Sequence, residues 1–116
     1  MAGRAGEWQR LRRHAATKRG AVEDEPWDGV LVSKVAGKIF VFLGSEEGRS
    51  VMVSCGAAAP EWRARYPGAV TVAPYVGRYG WNAARLGAGV PFDELAELVD
   101  LSYDRVVAKL PRSKRP

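Results

Sequence analysis

Residues 80–116, GWNAARLGAGVPFDELAELVDLSYDRVVAKLPRSKRP, decide the fold class. Trp81 to Leu86 is an apolar-leaning segment that predicts a strand, and Gly87 and Gly89 end it. Pro91 stands where a first helical turn tolerates a missing N–H. A long helix is predicted from about Pro91 to Lys109. Phe92, Leu95, Val99, Val106 and Leu110 form its inner stripe, which Leu98, Tyr103 and Val107 widen. Asp93 and Glu94 at its start, and Arg105 and Lys109 at its end, complement the helix macrodipole. Pro111 stops it, and a basic tail follows.

Working outward, Trp8, Leu11 and Ala15 recur at helical spacing, predicting a first helix from about Gly6 to Lys18 that Gly20 ends. Glu23-Asp24-Glu25-Pro26 reads as a polar connection, because Pro26 disfavours helix at Glu25. Val30–Lys34 and Lys38–Leu43 are rich in β-branched and aromatic residues and predict a hairpin. A type I turn through Val35 and Ala36, with Gly37 left-handed in a bulge, spares Ala36 a positive φ. That register makes Lys34 and Lys38 cross-strand neighbours on one sheet face. A strand over Ser50–Ser54, a short helix over Pro60–Tyr66 and a brief strand over Val70–Ala73 complete the order. Helix, strands, short helix, strands, helix is the signature of an α+β layer structure, with helices on one face of an antiparallel sheet. At 116 residues the chain fits one domain, 1–116, with flexible ends expected at about 1–5 and 111–116.

The composition, 47% hydrophobic and 27% charged, is that of an ordinary folded domain. Its longest apolar runs, such as IFVFL at 39–43, are far short of the ~20 residues a membrane-spanning helix needs. The arginine-rich start has no signal-peptide pattern, and the single Cys55 cannot form an internal disulfide. A cytoplasmic monomer is expected. The net charge of +5 is unevenly spread. Residues 1–20 carry Arg4, Arg10, Arg12, Arg13, Lys18 and Arg19 against Glu7 alone, and the segment from Arg105 onward has five cations and no acid. If the fold brings the two ends together, they form one anion-attracting surface.

The order of signals in 80–116, together with GKIF at 37–40, resembles the MmcQ/YjbR family of small bacterial proteins. The match runs from about Val22 and is strongest at Lys34–Phe40, Pro74–Leu86 and Pro91–Arg115. The resemblance implies a fold similar to frataxin-like (CyaY-like) domains: a curved antiparallel sheet backed on one face by the N- and C-terminal helices. Members of the family are commonly called DNA-binding proteins. Frataxin-like domains are known for binding iron through acidic residues. Here Pro26 and Trp27 interrupt the acidic cluster at 23–28, which reads as a solvated turn, so no metal site and no cofactor are expected.

Catalytic chemistry is not visible in the residues, and no enzyme is expected. His14 is the only histidine and sits in the basic first helix, where a solvated position is the expectation. Cys55 closes a strand ahead of Gly56 and reads as a small buried hydrophobe. One His and one Cys cannot supply the usual four His/Cys zinc ligands. The glycines of 86–90 lack the spacing of a phosphate cradle. The basic residues carry the functional reading. Lys34 and Lys38 would share one anion; Arg78 beside Tyr79 and Trp81 combines phosphate contact with base stacking. Lys109 at the helix end, and Arg112, Lys114 and Arg115 from a flexible tail, would add phosphate contacts. The expected partner is DNA or another nucleic acid, bound without sequence preference. The alternative is a protein-interaction module with an acidic partner, and metal handling by frataxin-like analogy is a third reading.

Overall fold

The structure is a computed structural model and describes residues 3–116. Helix α1 (Arg4–Ala16) leads into strands β1 (Ala21–Trp27), β2 (Val30–Val35), β3 (Lys38–Gly44) and β4 (Ser50–Ser54). A short helix α2 (Ala59–Arg65), strands β5 (Val70–Val72) and β6 (Trp81–Arg85), and the long helix α3 (Phe92–Ala108) follow. The six strands form one antiparallel sheet in the order β1-β2-β3-β4-β6-β5. The α+β layer arrangement predicted from the sequence is the one observed.

Side chains alternate along each strand, so one set of residues faces the helices and the other faces away. Val35, Val41, Val51, Val53 and Ala84 pack with Trp8, Leu11 and Ala15 of α1 and with Leu95, Leu98, Val99 and Tyr103 of α3 in one buried cluster. The two terminal helices therefore share one sheet face. Trp8 fixes α1 in place by donating its indole N–H to the Leu43 carbonyl at 2.7 Å.

Ser102 is a polar residue in the middle of α3's buried stripe, and it has a structural task. Strands β3 and β4 pair only at Val41–Val53 and Phe42–Met52, and then diverge. The Ser102 hydroxyl enters that gap, donating to the Phe40 carbonyl at 2.5 Å and accepting from the Ser54 N–H at 2.8 Å. One helix side chain thereby satisfies two buried backbone groups that the ladder leaves open.

Two sequence expectations are corrected. Residues 21–27 form an edge strand rather than a connection. The edge tolerates Glu23, Asp24, Glu25 and Pro26 because one side of its ladder faces solvent, where charge and proline discourage further pairing. The hairpin closes through a two-residue turn, with Ala36 at φ +50° and Gly37 at φ +78°, so Val35 pairs with Lys38. Such a turn matches the twist of the strands, and that gain outweighs the cost of a left-handed alanine, roughly 1 kcal/mol. The C-terminal residues are exposed but hydrogen-bonded back to the end of α3. Residues Arg112–Lys114 make a 3-10 turn, and Arg115 donates to the Leu110 and Ala108 carbonyls at 3.0 Å each. Pro116 rests beside Gly20, where an added methyl would lie 3.2 Å from its Cβ. Of the N-terminal end expected to be flexible, residues 1 and 2 lie outside the described residues, and α1 begins at Arg4.

Candidate functional site

The antiparallel topology gathers one set of element ends together. The tip of the β2–β3 hairpin, the end of β4, the start of β6, the end of α1 and the C-terminal half of α3 all meet at one end of the sheet. The contacts agree: Ser54 pairs with Trp81, Ala21 pairs with Val35, and the Tyr103 hydroxyl donates to the Arg19 carbonyl at 2.6 Å. Apart from Lys18 and Lys34, which pair with Asp100 and Asp24, the stretches 17–21, 34–39, 53–58, 72–81 and 101–116 that form this end hold eight Lys or Arg and one carboxylate, Asp104. Of the N-terminal cations only Lys18, paired with Asp100, and Arg19 reach this end, so the C-terminal segment supplies most of its charge.

Most predicted site residues lie here. Lys38 and Lys109 border a groove of about 420 Å³ whose other lining residues are Ile39, Val106 and Leu110. Lys109 caps α3, and Arg112 and Lys114 are exposed on the turn that follows. Arg78 and Tyr79 occupy a 3-10 turn at Gly77–Tyr79, with the guanidinium carbon 4.9 Å from the ring centroid. Trp81 is half-buried at the start of β6, its ring edge against Phe42 at a centroid distance of 5.4 Å. Arg115 belongs to this end in position, but its guanidinium is committed to backbone carbonyls.

Lys34 does not belong to the group. Val35 pairs with Lys38 on the helix-facing side, which puts Lys34 on the opposite face, where it holds Asp24 at 2.7 Å. The expected Lys34–Lys38 anion site is therefore absent: the two-residue turn shifts the register by one, and a one-residue shift turns a side chain to the other face. The Lys34 ammonium holds the Asp24 carboxyl below its ordinary range, chiefly by hydrogen bonding.

Arg105 is the residue that sequence reasoning missed. Its Nε donates to Ser54 Oγ at 3.3 Å, and its guanidinium lies against Gly56, where any side chain would overlap it. Gly80 supports the same corner. Its carbonyl accepts from the Cys55 and Gly56 N–H groups at 2.8 and 2.9 Å. Its φ of +84° and its approach to the Gly56 backbone both require glycine. The available signal was the placement of Arg105 four residues from Lys109 and away from any carboxylate at helical spacing. Across the described residues, ion pairs join Arg12 to Glu23, His14 and Lys18 to Asp100, Lys34 to Asp24, and Arg65 to Glu61 and Glu94. Lys38, Arg78, Arg105, Lys109, Arg112 and Lys114 have no such partner among the described residues.

The other singled-out side chains are structural. Cys55 is buried, and burial pushes its thiol up to about 11 despite the opposing pull of Asn82, Arg105 and Arg63. It is a poor nucleophile at neutral pH. His14 is not a solvated helix residue, as expected from its neighbours, but reaches Asp100 Oδ1 at 2.7 Å and ties α1 to α3. The carboxylates once grouped at 23–28 diverge, Glu23 to Arg12 and Asp24 to Lys34, as alternate strand residues must.

Fold and site together define a small α+β domain with one unneutralised cationic end. Comparison with known proteins gives its relatives: the YjbR family model matches residues 16–105, and the chain belongs to the YjbR family. Its fold is similar to the crystal structure of Deinococcus radiodurans protein DR2400, a DUF419 domain, with a TM-score of 0.82. That likeness covers 92% of this chain and 83% of the other at 21% identity. No curated protein matches the chain significantly. Among the described residues, no helix is long and apolar enough to cross a membrane.

Proposed function

We propose that this protein is a non-catalytic nucleic-acid-binding domain that contacts backbone phosphates through Lys38, Arg78, Arg105, Lys109, Arg112 and Lys114. The observation that carries this reading is the segregation of charge. On the flank formed by α1, β1 and α3, Arg12, Lys18 and Lys34 pair with carboxylates, while the six residues at this end have no carboxylate partner among the described residues. Unpaired cations on one surface attract a polyanion, and released counterions supply the affinity. None of the six is set on a recognition helix with Asn or Gln, so the reading implies little sequence preference. A filter-binding titration of a short duplex at several salt concentrations tests it. Affinity should fall steeply and linearly on a log–log plot; no binding even at the lowest salt would overturn the reading.

The groove between Lys38 and Lys109 favours a second reading. Its floor of Ile39, Val106 and Leu110 is apolar and its rim cationic, a combination that suits an acidic peptide with hydrophobic side chains. Binding of such a peptide, with no nucleic-acid binding, would put this reading in place of the first.

A further inference from the structure

Among the described residues no element packs across the sheet face turned away from the helices, and the segment from Ala73 to Gly80 bends over part of it. Pro74 reaches a shallow groove of about 270 Å³ on that face, formed with Val30, Phe42, Met52 and Ala83 among others. Next to Pro74, Tyr75 is 98% exposed and has a φ of +64°. The Val76 N–H donates to the Pro74 carbonyl at 2.7 Å, which closes a three-residue turn with Tyr75 at its centre. A positive-φ turn of this size is the rare and strained form. The backbone is held in a costly conformation that extends an aromatic ring into solvent. Tyr79 follows four residues later, 61% exposed, with the Arg78 guanidinium over its ring.

The charge around these rings is one-sided. From Trp62 to Phe92 the chain contains no Asp, Glu or Lys; of its four arginines, Arg65 pairs with Glu61 and Glu94 and Arg63 donates to Asn82, which leaves Arg78 and Arg85 without such partners. Gly80, at the end of the loop, packs on Gly56, and Gly56 in turn supports Arg105. Exposed aromatic rings, an apolar groove, Arg78 on the loop and Arg105 at its foot, neither with a carboxylate partner among the described residues, suit a ligand with flat apolar faces and a strongly anionic backbone.

We propose that this face takes the unpaired bases of a single-stranded nucleic acid, stacked on Tyr75 and Tyr79 with the adjoining phosphates at Arg78 and Arg105. The inference rests on the nucleic-acid reading above and narrows it. A duplex keeps its base faces stacked inside and can offer only phosphates to the cationic end, whereas a single strand can use both features.

The test is fluorescence-anisotropy binding of oligo(dT), oligo(rU) and a mixed-sequence duplex, each about fifteen units long, to the intact protein at low salt. The double variant Tyr75→Ala/Tyr79→Ala should lose roughly tenfold or more in single-strand affinity, keep its duplex affinity within about twofold and leave the salt slope unchanged. Tyr75→Phe/Tyr79→Phe should bind like the parent, since the ring and not the hydroxyl does the stacking. Both tyrosines are exposed, and unchanged thermal unfolding of the variants would confirm that folding is intact. A preference between oligo(dT) and oligo(rU) identifies which single strand is taken. Equal loss on single strand and duplex would overturn the proposal, as would no loss on either. A concentration-dependent dimer in sedimentation that the alanine variant abolishes, with single-strand binding intact, would assign the face to a second copy of the chain instead. If the parent binds neither form of nucleic acid, the underlying reading falls together with this one.

Discussion

The flank where α1 meets β1 and α3 and the end where Lys38, Gly56 and Trp81 meet the last turns of α3 contain the same residue types in different circumstances. On the flank, Arg12, His14, Lys18 and Lys34 each reach a carboxylate within 3.0 Å. At the end, Arg105 touches a serine hydroxyl and a glycine, and Lys38, Lys109, Arg112 and Lys114 have no carboxylate partner among the described residues. Charges of the first kind hold elements of the fold to one another. Charges of the second kind contribute little to folding and leave a positive field for something outside the molecule. The difference teaches that net charge is a poor guide to function; what decides is which cations the fold has already neutralised.

This contrast can be broken by mutation. Removing four cations from the unpaired end, with Lys38, Lys109, Arg112 and Lys114 all changed to alanine, should lower DNA affinity on the order of a hundredfold at low salt. Chemical denaturation should show stability unchanged to within about 0.5 kcal/mol, as for surface substitutions without structural partners. Ser102→Ala probes the framework that carries the unpaired end. It leaves the Phe40 carbonyl and the Ser54 N–H buried without a partner, and a loss of about 2 kcal/mol in urea unfolding is expected. A loss below about half a kcal/mol would mean the β3–β4 gap closes without the hydroxyl.

On the paired flank, Asp100 is the informative residue. Burial alone would raise its carboxyl, but hydrogen bonds from Lys18 and His14 outweigh that and hold it below its ordinary range. A carboxylate depressed on folding stabilises the protein above its unfolded pKa of about 4 and loses that contribution as pH falls through the folded value. Asp100→Asn should therefore cost roughly 1 kcal/mol at neutral pH, a figure already reduced for the 41% exposure of the side chain, and almost nothing near pH 2. Unfolding curves for both proteins across that range would show the gap narrowing toward acid. Lys34→Ala is the smallest effect expected: within about 0.5 kcal/mol in stability and within about twofold in duplex affinity, because this lysine is already paired with Asp24.

Much of the architecture was legible because it rests on periodicity. The stripe of α3 and that of α1, the strand at Trp81 and the α+β order all follow from where apolar residues recur. What escaped were positions where context overrode local preference. Strand β1 was hidden by its acids and Pro26, which a central strand would reject and an edge strand accepts. The hairpin turn was misread because a left-handed alanine is unfavourable locally, and the sheet's twist outweighs that cost. Lys34 was then assigned to the wrong face, since every side chain depends on the register. Arg115 looked like a mobile tail residue, yet its two carbonyl bonds at the end of α3 could not be foreseen from spacing. For the candidate site, residue type was readable and pairing was not. Arg105 resembled an ordinary helix-end cation until the structure placed Gly56 and Ser54 beneath it. The run of aromatic and basic residues at 73–80 was in plain sight, but it gained meaning only when the fold bent that loop over the sheet face turned away from the helices.

The most direct measurement compares the salt dependence of duplex binding for the parent and two charge-matched variants. One, Lys109→Ala/Arg112→Ala/Lys114→Ala, removes cations from the unpaired end; the other, Arg12→Ala/Lys18→Ala/Lys34→Ala, removes as many from the paired flank. The account predicts that the first lowers the log–log slope by up to about 2.7, three phosphate contacts' worth, while the second leaves it within about half a unit of the parent's. Equal reductions in both would contradict it, since binding would then follow total charge and the neutralised cations would count as much as the free ones.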